Sequence, residues 1–136
     1  MTSVMIVDDS VMMRSVIADI VTADPEFAVV ERAGNGCEAL EKIRAHDCDI
    51  VLLDIEMPRM GGLEALKHLR LISKAKVIVV SSSAQPGSLT ALEARREGAF
   101  AVIPKPSGAV SCDLGQKKGH EILQACRRAA GLSETV

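Results

Sequence analysis

The sequence predicts one α/β domain in which five parallel strands alternate with five helices in a doubly wound sheet. Three observations carry that prediction. Short runs rich in Val and Ile recur along the chain without polar alternation, as strands covered on both faces require. Segments with apolar residues at helical spacing lie between them. No repeat, low-complexity tract or internal linker interrupts the 136 residues, a length that suits one domain with a core of its own.

The first run is 4–7. Met13, Val16, Ile17, Ile20 and Val21 follow at i, i+3, i+4, i+7 and i+8, one face of a helix that Ser10 caps and Asp24-Pro25 ends. The second run is 28–30, continuing to Ala33, and Asn35-Gly36 turns into a helix marked by Ala39, Leu40 and Ile43. The third run is 50–53; beyond Pro58 and Gly61-Gly62, a helix is marked by Leu63, Leu66, Leu69 and Leu71 with Ala65. After the fourth run, 77–80, Leu89, Leu92 and the Ala91/Ala94 pair mark a helix that Gly98 stops. The fifth run is 101–103, and Pro104, which lacks a donor, suits a strand at the sheet edge. Ile122, Leu123, Cys126 and Ala130 mark the last helix, with Arg127-Arg128 in its final turn where cations suit the dipole. Such alternation implies right-handed crossovers. Residues 1–131 are expected to form the domain, and 132–136 a tail or the start of a linker.

Composition removes several function classes. Hydrophobic residues are 48% and charged residues 25% of the chain, the profile of a soluble globular protein. Sixteen Lys and Arg against 18 Asp and Glu leave a net charge of −2, which argues against nucleic acid or anionic lipid as partner. Phe27 and Phe100 are the only aromatics, too few for base stacking or a ring-sandwiched cofactor. No apolar stretch approaches the ~20 residues of a membrane span, and the amino terminus has no signal-peptide core, so a cytoplasmic location is expected. Cys37, Cys48, Cys112 and Cys126 make no C-x-x-C and no zinc spacing with His46, His68 or His120. The cysteines read as reduced thiols and the histidines as solvated.

The informative feature lies after the strands. In an open α/β sheet ligands bind beyond the carboxyl ends of the strands. Asp8-Asp9 follow the first run, Asp54 the third, Ser81-Ser82-Ser83 the fourth and Lys105 the fifth. Each alone has an ordinary explanation, as a helix cap, a turn residue or a solvated charge. Together they put three carboxylates, a hydroxyl and an ammonium on one edge. Two carboxylates about 4 Å apart repel by roughly 4 kcal/mol at an effective dielectric near 20, a large share of a total stability of about 5–15 kcal/mol. Lys105 supplies one counter-charge, and oxygen-only ligands point to Mg²⁺ as the second. Such a pocket suits phosphoryl transfer, with Asp54 as nucleophile and an acyl phosphate as product.

V-D-D-S at 7–10, D-I-E-M-P-R-M-G-G at 54–62, V-S-S-S-A at 80–84 and P-K-P at 104–106 resemble the response-regulator receiver domain of two-component signalling. The resemblance implies a flavodoxin-like strand order 2-1-3-4-5, a histidine kinase as phosphodonor and Mg²⁺ as cofactor. It makes Asp54 the phospho-acceptor, Asp8, Asp9 and Asp54 metal ligands, and Glu56 the source of a backbone carbonyl to the metal. Ser81 takes the place of the switch hydroxyl and Lys105 that of the phosphate-binding lysine, and Lys105-Pro106 is expected to be cis. D-x-E-M-P-R-M, Ser81-Ser82, and K-P-S-G followed by Ser111 and Asp113-Leu114 are similar to one branch, the receiver of the chemotaxis protein-glutamate methylesterase. Two positions depart from the pattern. Val102 stands where an aromatic switch residue is usual, with Phe100 two residues away, and Gly61 stands where Asp is common.

These 136 residues are expected to carry no separate enzyme activity beyond taking up and losing the phosphoryl group. A methylesterase needs an activated serine and no G-x-S-x-G occurs, so that activity would belong to a further C-terminal domain. A stand-alone regulator remains an alternative. An aspartyl-phosphate phosphatase fits less well, because D-x-D is replaced by Asp54-Ile55-Glu56, and a flavin carrier lacks its aromatics.

Overall fold

The computed structural model of the chain describes residues 1–57, 59–83, 85, 87–105 and 112–133, with the backbone alone for 112–118. The strands are β1 (Thr2–Val7), β2 (Phe27–Ala33), β3 (Ile50–Leu53), β4 (Lys76–Ser81) and β5 (Ala101–Pro104). They alternate with α1 (Val11–Thr22), α2 (Gly36–Ala45), α3 (Gly62–Ile72), α4 (Leu89–Arg96) and α5 (Cys112–Ala129). All neighbouring strands pair parallel in the order β2-β1-β3-β4-β5. This is the order the family resemblance implies, and it leaves β5, with Pro104, at an edge.

Because successive strand residues point to opposite faces, the apolar runs divide into two cores. Val4, Ile6, Ile50, Leu52, Ile78 and Val80 pack against α1 and α5. Met5, Val7, Val51, Leu53, Val77 and Val79 pack against α2, α3 and α4. Each fully buried aliphatic side chain contributes about 1.5–3 kcal/mol of transfer free energy, so β1, β3 and β4 form a rigid platform. The helix starts follow the sequence: Ser10 Oγ accepts from Met13 N–H at 3.2 Å and Asn35 Oδ1 from Glu38 N–H at 2.9 Å. Gly98 ends α4 with φ +99°, a conformation that favours glycine.

Several side chains depart from expectation. Leu71 is 83% exposed, because it lies about 200° around the helix from buried Leu69 and so faces solvent. Leu89 and Leu92 are 76% and 47% exposed, while the small Ala91 and Ala94 bring α4 against the sheet. Val16 sits at the margin of the α1 face, 39% exposed. β2 is covered only in part: it is an edge strand, and Val30 is the extra residue where the register with β1 shifts, standing half exposed. Asp24 does more than end α1. Its Oδ2 accepts from Arg127 Nη1 at 2.6 Å and its Oδ1 from Glu26 N–H at 3.0 Å, tying α1 to α5. His46, His68 and His120 are exposed. Cys48 and Cys126 are buried thiols whose pKa values burial pushes up to about 11 and about 12. The expected cis Lys105-Pro106 bond and Ser111 lie outside the described residues, as do the side chains of Cys112, Asp113 and Leu114.

Candidate functional site

Val7 and Leu53 are register partners, so Asp8 and Asp54, the next residues, leave β1 and β3 side by side. The main chain holds both: Asp8 N–H donates to Ala33 C=O at 3.0 Å and Asp54 N–H to Val7 C=O at 2.9 Å. Ser81 is paired with Pro104, and Lys105 N–H donates to Ser81 C=O at 3.1 Å. Two strand spacings of ~4.8 Å separate β5 from β3, a gap the lysine stem crosses.

Lys105 Nζ lies 2.8 Å from Asp8 Oδ2 and donates to Asp54 Oδ2 at 3.1 Å. Asp8 is fully buried, Asp54 is 3% exposed, and Asp9 stands exposed at the rim. Asp8 Oδ1 accepts from Ser10 N–H at 2.9 Å, and Asp54 Oδ1 from Glu56 N–H at 3.3 Å. Asp8 Oδ2 has the ammonium as an ion-pair neighbour but no aligned hydrogen bond, so a buried carboxylate oxygen keeps free lone pairs. Burial pushes the Asp54 carboxyl above the usual carboxylate range; the Lys105 ammonium opposes this, and the Asp8 charge adds to it. Burial alone would lower the Lys105 pKa, but the two carboxylates outweigh it and raise it above the ordinary lysine value.

The three aspartates offer carboxylate oxygens that lie within 4.8 Å of one another. An all-oxygen set with two buried members, one of them under-bonded, fits a hard divalent cation. Of the residues singled out from sequence, Asp8, Asp9, Asp54 and Lys105 therefore meet in one cluster, and Glu56 reaches it through its backbone N–H. Ser81 is buried at the same edge, but its hydroxyl is engaged by Ser83, Oγ to Oγ at 3.2 Å. Phe100 is 38% exposed and lies under the Lys76 ammonium, 5.1 Å from the ring centroid. Val102, half buried, packs into the core on the α2–α4 side.

Sequence reasoning missed Arg14, whose Nη1 donates to the Asp8 carbonyl at 2.6 Å and steadies the turn that carries the carboxylates. Its position one turn after Ser10 was the available signal. It named Gly62 but missed its close packing. A Cβ there would stand 2.3 Å from the Asp54 carbonyl oxygen, so α3 begins in direct contact with the backbone that carries Asp54. Gly61 caps α3 with no side-chain hydrogen bond, which is what its replacement of the usual Asp alters.

A five-stranded 2-1-3-4-5 sheet with this carboxylate–lysine edge is the architecture of signalling receivers. The response regulator receiver domain matches residues 4–128, and the chain belongs to that family. Within it, the likeness is to the chemotaxis methylesterase branch. The protein-glutamate methylesterase/protein-glutamine glutaminase 1 of Syntrophomonas wolfei is 42% identical over 130 residues, 96% of this chain and 37% of the relative. The crystal structure of the response regulator domain of Thermotoga maritima CheB superposes with a TM-score of 0.88 at 38% identity, covering 97% of this chain and 98% of that one. A chain of the complex between the P1 domain of CheA3 and CheY6 from R. sphaeroides is 45% identical, with a TM-score of 0.79 and 96% and 97% coverage. The chain spans about a third of the length of the curated relatives it matches. Among the described residues no helix is long and apolar enough to cross a membrane.

Proposed function

We propose that Asp54 accepts a phosphoryl group from a histidine kinase and that its modification switches the surface of the domain. The observation that supports this best is the Lys105 ammonium held between Asp8 and Asp54 over a buried carboxylate. An Asp54 oxygen attacks the phosphorus of a phosphohistidine; the P–O bond forms as the P–N bond breaks, and the leaving imidazole takes up a proton from water. Lys105, already at hydrogen-bond distance, follows the transferred charge and pairs with a phosphoryl oxygen. Ser81 turns its hydroxyl toward the same group. Asp8, Asp9 and Asp54, with the Glu56 carbonyl, would hold Mg²⁺, which when bound supplies positive charge to the phosphoryl oxygens. Two charge-assisted hydrogen bonds at roughly 1.5–3 kcal/mol each bias a two-state surface by ~10²-fold or more.

In this reading residues 1–131 are the regulatory unit of a longer chemotaxis methylesterase, supported by a relative of which the chain covers 37%. A receiver working without an attached enzyme is the second reading, favoured by the 45% identity to a chain of the CheA3–CheY6 complex. Acetyl phosphate with Mg²⁺ is the direct test. The chain is expected to gain the mass of one phosphoryl group and Asp54→Asn to gain none; a folded, unmodified wild type overturns the proposal. Glu56→Ala is expected to change the lifetime of the acyl phosphate, since Glu56 adjoins the attack path.

A further inference from the structure

The Ser81 hydroxyl is fully buried, and Ser83 engages it twice: Ser83 N–H donates to Ser81 Oγ at 3.4 Å, and the two hydroxyls lie 3.2 Å apart. Ser83 also carries the next connection. Its carbonyl accepts from Ser88 Oγ at 3.3 Å, and the same Ser88 Oγ accepts from Ala91 N–H at 3.1 Å as the cap of α4. Ser88 N–H in turn donates to the Gln85 carbonyl at 3.0 Å. A continuous hydrogen-bonded path thus runs from the last residue of β4 to the first turn of α4.

We propose that Ser83 and Ser88 are positioning residues that tie the Ser81 hydroxyl to the amino terminus of α4, so that α4 registers which way Ser81 points. The proposal rests on the phosphorylation reading above and extends it to residues that touch neither the phosphoryl group nor Asp54. A serine hydroxyl changes direction by jumping between staggered rotamers, which moves Oγ by about 2 Å. A jump toward Asp54 therefore takes Oγ out of reach of both Ser83 contacts. Ser83 is then free to relax, and its carbonyl no longer holds the Ser88 hydroxyl in place. The cap of α4 is loosened or re-formed with different partners, and the exposed Leu89 and Leu92 move with it.

The test follows the Ala91 and Leu92 amides by NMR chemical shift and hydrogen exchange, with and without beryllofluoride and Mg²⁺. In the wild type both amides are expected to shift on beryllofluoride addition. Ser83→Ala is expected to show, before any addition, Ala91 moved toward the activated position and exchanging about fivefold faster, the equivalent of one neutral hydrogen bond. Ser83→Thr, which keeps the hydroxyl, is expected to restore the wild-type resting state. Ser88→Asp keeps a good cap but has no donor for the Ser83 carbonyl. It is expected to protect Ala91 and to lose the beryllofluoride response there. Phosphoryl uptake at Asp54, read by mass in parallel, separates the two ideas. If Asp54 is modified in every variant and Ser83→Ala leaves Ala91 where the wild type has it, the tie is refuted and the phospho-acceptor reading stands. If no sample takes up phosphate, that reading fails, and the resting-state contrast between Ser83→Ala and Ser83→Thr still decides whether the tie exists.

Discussion

Lys105 Nζ sits 3.1 Å from Asp54 Oδ2, although the two residues lie 51 apart in sequence and just beyond strands separated by β4. This contact joins the edge strand to the middle of the sheet and holds a buried negative charge in place.

Removing the ammonium tests the contact. Lys105→Met is expected to raise the Asp54 pKa further, since the largest influence opposing burial is lost, while Asp8 still adds its like charge. Phosphoryl uptake from acetyl phosphate is expected to fall about 10²-fold, the usual loss for one positioned donor at a developing charge. A carboxyl titration by ¹³C NMR and a rate of mass gain check both halves.

The raised Asp54 pKa also fixes the sign of a pH effect on stability. The folded protein holds the Asp54 proton more tightly than the unfolded chain, whose carboxyl ionises near 3.8. As pH climbs above 3.8 the unfolded chain releases the proton first, so this residue removes stability until the folded carboxyl has ionised too. Asp54→Asn is expected to gain stability relative to wild type across that window and then level off. Paired urea melts between pH 3 and 8 measure the difference; a gap that shrinks with rising pH contradicts the assignment.

Asp9 separates metal binding from folding. It stands exposed at the rim, whereas Asp8 and Asp54 are buried. Asp9→Asn is expected to change stability by no more than about 0.5 kcal/mol, as for most surface replacements. Calorimetric Mg²⁺ binding should nevertheless weaken markedly, because one of the three carboxylates proposed to hold the ion is lost. The chain has no Trp, so fluorescence quenching is no substitute.

Two adjacent glycines should respond in opposite directions. Gly62→Ala forces a methyl to within 2.3 Å of the Asp54 carbonyl oxygen and is expected to destabilise by about 1–3 kcal/mol while slowing phosphoryl uptake. Gly61 has φ −65° and only an ordinary 3.6 Å neighbour for a new Cβ. Gly61→Asp therefore supplies the missing cap and stiffens the unfolded chain, for an expected gain of about 0.5–1 kcal/mol in a urea melt.

The sequence alone determined the alternation of strands and helices, the cap at Ser10, the turn at Asn35-Gly36, and the identity of the polar residues at the strand ends. These depend on local periodicity and local hydrogen bonding, which neighbours along the chain largely decide. The convergence of Asp8, Asp54 and Lys105 was legible too, because parallel strands must end on the same edge. Only the tertiary structure decided which apolar residues of a helix stay outside the buried face. Leu71, Leu89 and Leu92 look like core residues in sequence, yet α3 buries Ala65, Leu66 and Leu69, and α4 buries Ala91 and Ala94. It likewise decided that Arg127 answers Asp24 across the domain and that Arg14 holds the Asp8 carbonyl. It also decided that Ser81 rests against Ser83 rather than Asp54. Those outcomes turn on which side chains meet after the sheet and helices have docked, and spacing along one segment carries no record of the surface it will face.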